Sequence, residues 1–235
     1  MARPIPSDRF AALIRVATEV FLERGYRRTQ MADVAEALGV AKGTLYLYVE
    51  SKEALFEQVL LHADGPAAIP SPDSLPVPSP EPGSTLSKVR ERLLRDAHLP
   101  ALTDALARRR VSNVRGEIEA IFRELYRLLA AHRVAIKLLD RCSSELPALA
   151  GLWSDGGRGP ILAGLEQFLR RRTDLGHLPR FAQGDRMARM ALEVVVQWAV
   201  HARWDPNPDP RFEDDEIVEA AVVEFVTRAL CGGGG

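Results

Sequence analysis

Between Asp64 and Thr85 the chain carries seven prolines, Pro66, Pro70, Pro72, Pro76, Pro78, Pro80 and Pro82, with Gly65 and Gly83 among them. Proline lacks an amide donor and fixes φ, so no helix continues through this stretch and no sheet interior accepts it. The 235-residue sequence is thereby divided into an N-terminal piece, 1–62, and a C-terminal piece, 86–231. The stretch between them, 63–85, reads as a polyproline-like or disordered linker, expected to be mobile and to act mainly as a tether. Its Pro-x-x-Pro spacing also admits an SH3-type partner, against which a plain spacer is the simpler reading.

On both sides of the prolines, apolar residues recur with a helical period. Ile118, Ile121, Phe122, Leu125, Leu128 and Leu129 mark one helix face, with Arg123, Glu124 and Arg127 mostly opposite. The cluster Gly156-Gly157-Arg158-Gly159-Pro160 breaks the chain before a helix from Ile161 to Arg172. Two long helices, Asp185–Arg203 and Asp214–Leu230, follow, and Gly232–Gly235 reads as a flexible tail. No strand alternation, hairpin signal or internal repeat stands out, so the fold class is all-α. Lys and Arg number 31 against 32 Asp and Glu, for a net charge of -1, which gives no sign of a polyanion-coating protein. No apolar run approaches the ~20 residues that span a bilayer. The opening Met1-Ala2-Arg3-Pro4-Ile5-Pro6-Ser7-Asp8 has no apolar h-region, and Cys142 and Cys231 are too few for a disulfide framework. A cytoplasmic protein is expected.

The N-terminal piece is the most informative. Ser7 is placed to cap a helix whose inward face is Phe10, Leu13, Ile14, Ala17, Val20 and Phe21, ended by Gly25. A second helix, Met31 to Leu38, buries Met31, Val34, Ala35 and Leu38 at helical spacing. Gly39 supplies a tight turn and Val40 a plug. A third helix is expected from Lys42 to Val49, with Leu45 and Val49 inward. Two short helices joined by a glycine turn make a helix-turn-helix, and Ala35 is small enough to let them cross closely. The helical angle then puts Gly43, Thr44, Tyr46 and Leu47 on the exposed side. Tyr46 and Leu47 suit a surface that meets DNA better than one that meets water. Ser51 caps a fourth helix, Lys52–His62, and a phosphate partner would explain a lysine beside its positive end.

The segment Leu13–Leu60 includes Phe21-Leu22-Glu23-Arg24-Gly25-Tyr26, Met31-Ala32-Asp33-Val34-Ala35, Leu38-Gly39-Val40, Lys42-Gly43-Thr44-Leu45-Tyr46 and Ser51-Lys52-Glu53-Ala54-Leu55-Phe56. It closely resembles the tetracycline-repressor (TetR/AcrR) family of bacterial transcription regulators. The resemblance implies a helix-turn-helix over Gln30–Val49. It also implies DNA contacts from Lys42, Gly43, Thr44, Tyr46, Leu47, Tyr48 and Lys52, supported by Thr29 and Gln30. Of these, Tyr46 and Lys52 are expected on phosphates, and Thr44 and Leu47 on base edges and thymine methyls. Gln30 and Ala41 depart from the family's usual Ser or Thr. Thr29 is a substitute cap for the first, whereas Ala41 has no side-chain acceptor, at a cost of about 1 kcal/mol. Basic and acidic residues balance over this region, so non-specific affinity should be modest.

In the C-terminal piece, Met187, Ala191, Val194, Val195 and Trp198 form one stripe of a helix and Ala188, Leu192, Val196 and Val200 another. The helix Asp214–Leu230 is likewise apolar through Ile217, Ala221, Val222, Phe225, Val226 and Leu230. Helices apolar on two sides must be buried on two sides. One side is therefore read as core and the other as a homodimer interface of Ala188, Leu192, Val196, Val200, Val222 and Phe225. The resemblance agrees, since its members dimerise through their last two long helices. It also implies an effector pocket among the middle helices, for which Tyr126, His132 and Trp153 are the candidates. Five histidines without i,i+4 pairing give no metal site, and no cofactor motif or catalytic constellation is visible, so no enzyme is expected.

Together these readings predict a sequence-specific transcriptional regulator. It would be a homodimeric repressor on a pseudo-palindromic operator, released by a small-molecule effector. The rival reading is an all-α small-molecule or partner-binding protein that has lost operator binding.

Overall fold

The computed structural model describes residues 7–65, 70–96 and 98–232. The helices run in the order α1 (Ser7–Arg24), α2 (Met31–Leu38), α3 (Lys42–Leu45), α4 (Lys52–His62), α5 (Ser84–Asp96), α6 (Pro100–Ala107), α7 (Val114–Ala131), α8 (Arg133–Ser143), α9 (Pro147–Gly151), α10 (Gly159–Asp174), α11 (Gly184–Ala199) and α12 (Asp215–Cys231). The β-pairing among the described residues is an isolated parallel bridge between Val49 and Val77. The all-α reading holds. The cap expected of Ser7, the side chain of Trp153 and the tail beyond Gly232 fall outside the described residues.

The helices form two compact units, one from Met1–Leu93 with Val134–Trp153 and the other from Leu94–Arg133 with Ser154–Gly235. This division differs from the one composition predicts. Val89 of α5 and Leu138, Leu139 and Cys142 of α8 share one buried cluster with Phe10, Phe21, Val34, Leu45 and Leu55. Apolar burial is non-directional, so chain segments distant in sequence join whichever core they complete.

Inside the first unit α4 is a hub, buried through Ala54, Leu55, Phe56, Val59 and Leu60. Its buried Glu57 accepts hydrogen bonds from Lys88 Nζ at 2.7 Å and Thr85 Oγ1 at 2.8 Å. Arg92 Nη1 donates to the carbonyls of Leu60 (3.1 Å) and Leu61 (2.6 Å), which lie in the last turn of the helix. Just beyond, Asp64 Oδ1 accepts from the backbone N–H groups of Val134 (2.8 Å) and Ala135 (3.0 Å), capping the start of α8. Past the other end of α8, Glu145 Oε2 accepts the Arg27 N–H at 2.6 Å. Its carboxylate fills the space that a Cβ on Gly25 would need, and Gly25 also has φ +80°. Gly25 is thus fixed by both conformation and space.

The described part of the proline-rich segment is not a free tether. Val77 N–H donates to Tyr48 O at 2.8 Å, and Glu50 N–H donates back to Val77 O at 3.0 Å. Leu75 and Val77 pack against the cluster of the first unit.

In the second unit, α7 contributes Ile118, Ile121, Phe122, Leu125 and Leu129 to a core closed by α11 and α12. The interface residues predicted from the sequence are mostly inside this core. Ala188, Leu192, Val196, Val200 and Val222 are buried within the single chain, Val196 to 6% exposure. Phe225 is the exception at 60%, accompanied by exposed Ala221 and Ile217 about one and two turns before it. Periodicity shows that two faces are apolar; it does not show which one the chain covers itself.

Candidate nucleic-acid interface

Gln30 precedes α2 in extended conformation, and its N–H donates to Asp33 Oδ2 at 2.7 Å. Asp33 satisfies an orphan amide here and also pairs with Arg24 at 2.7 Å, so the missing Ser or Thr is compensated. Gly39 ends α2 at φ +72°, and Val40 N–H reaches back to Ala35 O at 2.9 Å. That left-handed residue turns the chain toward α3. Ala41 precedes α3 with no side-chain cap, as the sequence predicts.

The recognition helix is shorter than expected. It ends at Leu45 rather than Val49, and the chain tightens into i−3 bonds, Leu47 N–H to Thr44 O (3.2 Å) and Tyr48 N–H to Leu45 O (2.9 Å). Val49 N–H still bonds Leu45 O at 3.1 Å, but Tyr48 O and Glu50 N–H are taken by Val77, and the helical ladder goes no further.

The core side of the motif is as predicted: Met31, Val34, Ala35, Leu45 and Val49 are buried, and Leu38 and Val40 pack half-buried against them. Opposite them stand exposed Lys42, Gly43, Tyr46 (41%) and Leu47 (56%), with Thr44 half-buried and Gln30 exposed. Open space surrounds Gly43, so backbone can approach a partner closely there.

Two residues expected on this surface are buried, and a third has its charge engaged within the chain. Thr29 is buried, and its hydroxyl donates to Gly25 O at 2.7 Å, closing the turn after α1 instead of capping α2. Tyr48, 4% exposed, belongs to the core. Lys52 is only half-exposed: its ammonium donates to the carbonyls of Tyr26 (3.0 Å) and Thr29 (3.1 Å) and lies 4.3 Å from the Tyr26 ring centroid. Two carbonyls and a π face offset the unfavourable helix dipole without a phosphate. Tyr26 itself donates to Glu53 Oε1 at 2.9 Å, and burial together with that carboxylate raises its phenol above the ordinary range. Lys52, Tyr26 and Glu53 thus form a staple between the α1–α2 turn and α4. The sequence carried one sign of it, the lysine at a helix N-terminus. Lys52→Met is expected to destabilise the protein by about 1–3 kcal/mol while leaving the salt dependence of DNA binding unchanged. A binding slope against log salt lowered by about one would place Lys52 on a phosphate instead.

The effector candidates do not converge. Tyr126 is buried with its hydroxyl donating to Asp215 Oδ1 at 3.0 Å, a carboxylate also held by Arg133 and Arg203. His132 is half-buried after α7. Clefts of about 370 and 410 Å³ in the second unit are lined mainly by polar and charged residues such as Arg108, Asn113, Arg170 and Asp174, and by neither Tyr126 nor His132. Among the described residues no group of His, Cys, Asp and Glu is placed to hold a metal ion, and no helix is long and apolar enough to cross a membrane.

Residues 13–59 match the family model described as bacterial regulatory proteins, tetR family. Over 54 residues the chain is 39% identical to the HTH-type transcriptional repressor KstR2 of Rhodococcus jostii, which is 23% of this chain and 26% of that protein. Over 58 residues it is 45% identical to the repressor ComR of Escherichia coli, covering 25% and 27% of the two chains. The chain therefore spans about a quarter of the length of the curated relatives it matches. The solved structure of the ketosteroid transcriptional regulator KstR2 of Mycobacterium tuberculosis aligns over 99% of this chain and 100% of that one, with a TM-score of 0.58 and 15% identity. A tetR-family regulatory protein from Rhodococcus RHA1 aligns over 94% and 97%, with a TM-score of 0.55 and 19% identity. Both show likeness of fold.

Proposed function

We propose, for a chain whose residues 13–59 match the tetR family model of bacterial regulatory proteins, that it is an operator-binding repressor acting as a homodimer and released by a small molecule. The observation that carries the reading is the exposed face of Lys42, Gly43, Tyr46 and Leu47, held by a buried helix-turn-helix core. Phenol and leucine side chains exposed together lose apolar surface to water unless a partner covers them. A major groove offers phosphates to Lys42 and Tyr46, and thymine methyls to Leu47. The repressor sign follows the relatives whose names carry it.

Release requires that α4 feel a ligand. In the first unit α4 is tied directly to α5 through Glu57 and Arg92, and to α8 through the adjacent Asp64. A ligand that favours another position of α5 or α8 shifts α4, and with it the spacing of two recognition elements on half-sites. Such coupling is reciprocal and typically about 1–3 kcal/mol. The unpartnered stripe Ile217, Ala221 and Phe225 of α12 supplies the face on which a second copy docks.

Selection of bound duplexes from a random pool tests the reading. Wild-type protein is expected to enrich a pseudo-palindrome. Leu47→Ala and Thr44→Ala are expected to relax preference at the base pairs they meet, by about 1–3 kcal/mol per pair. A pool that stays unenriched would remove the DNA-binding function. An unaltered preference in Leu47→Ala would remove its assignment to a base edge.

A further inference from the structure

The segment Leu75-Pro76-Val77-Pro78-Ser79-Pro80 alternates proline with residues that keep their amide. In an extended chain the N–H and C=O of one residue point to the same edge, and those of its neighbours to the opposite edge. Prolines at every second position therefore remove donors from one edge only. The structure uses the other edge. Val77 donates to Tyr48 O (2.8 Å) and accepts from Glu50 N–H (3.0 Å), the two bonds of a parallel bridge. One period later, Ser79 N–H donates to Glu50 Oε2 at 3.0 Å, and its hydroxyl donates to Ser51 Oγ at 2.8 Å. Ser51 is the N-cap of α4 and accepts from Ala54 N–H at 3.1 Å. All four bonds between the two segments fall on Tyr48, Glu50 and Ser51, which join the recognition turn to α4.

We infer that this strap is a positioning device for the recognition element, with Val77 as its principal residue. The inference rests on the DNA-binding reading above. The recognition helix needs such support for local reasons. Four residues make barely one turn, Ala41 gives no cap at its start, and the i−3 bonds at its end are of the poorer kind. Its orientation is therefore fixed from the C-terminal side, by backbone pairing that does not depend on helix propensity. The outward prolines serve a second purpose, since an edge without donors cannot recruit a further strand from another molecule. The strap ends at Gly83, whose φ of +85° turns the chain into α5, where Thr85 and Lys88 hold Glu57 of α4. The recognition turn is thus bound to α5 as well as to α4.

The test uses the full chain, amide hydrogen exchange without DNA, and the duplex that wild-type protein selects from a random pool. Val77→Pro deletes the donor to Tyr48 while keeping an apolar side chain. It is expected to speed exchange at Glu50 and to weaken the selected duplex about ten-fold, with helical circular dichroism and oligomeric state retained. Glu50→Ala combined with Ser79→Ala removes the second pair of contacts without adding a proline, and should weaken binding in the same direction even if Val77→Pro does not fold. Fast exchange at Val77 and Glu50 in the wild-type protein would overturn the pairing itself. Unchanged duplex affinity in folded variants whose Glu50 amide has become labile would overturn the positioning role. If wild-type protein selects no duplex, the DNA-binding reading fails together with the role built on it, whereas slow exchange would still report the pairing as present.

Discussion

Glu117→Ala is expected to lower the stability of the protein by about 3–5 kcal/mol, because it strands a buried guanidinium. Arg172 is fully buried, the largest such side chain among the described residues. Its Nε donates to Glu117 Oε2 at 2.7 Å and its Nη2 to Glu117 Oε1 at 3.2 Å and to Ala105 O at 2.6 Å. Arg172 Nη1 is buried without a hydrogen-bond partner, so the site already carries a desolvation cost. Glu117 is its countercharge in direct contact among the described residues, and without it only a neutral carbonyl and the Phe168 ring face the buried charge. Replacing both residues, Glu117→Leu with Arg172→Met, should recover most of the loss, as apolar pairs of similar volume commonly do. Urea denaturation of the two variants measures both effects. A Glu117→Ala protein within about 1 kcal/mol of wild type would mean that the guanidinium finds water or another acceptor.

Phe225→Glu is expected to turn a dimer into monomers that remain folded. Phe225 is 60% exposed on α12, with Ile217 and Ala221 on the same face at four-residue intervals. A central aromatic in such an interface contributes about 2 kcal/mol or more, so its loss raises the dissociation constant by at least about 30-fold. Val196→Asp is the contrasting variant. Its site is 6% exposed, and an unpaired carboxylate there should unfold the second unit instead of separating two intact ones. Sedimentation read together with circular dichroism distinguishes the outcomes. If Phe225→Glu sediments like wild type, the exposed α12 face is not where copies meet.

Residue spacing and the local chemistry of caps and turns determined the helical class, the helix-turn-helix core and the exposure of Lys42, Gly43, Tyr46 and Leu47. These rest on forces acting over three or four residues, the reach of one helical turn and one cap, so they are legible without the rest of the chain. The end of α4 and the cap at Ser51 belong to the same class. Tertiary structure decided everything that depended on which of two apolar faces found a neighbour. Tyr48 and Thr29 went inward, and Ala188, Leu192, Val196, Val200 and Val222 filled the core of their own chain. Lys52 met carbonyls of a turn more than twenty residues away. Arg172 lies in a run of three arginines that resembles a solvated surface, yet packing drew it to Glu117, 55 residues distant. The prolines of 76–80 excluded a helix, as their chemistry requires, but only the approach of Tyr48 and Glu50 revealed that their spacing leaves one edge free to pair. Backbone chemistry is written at every residue; the partner that completes it is chosen by the fold.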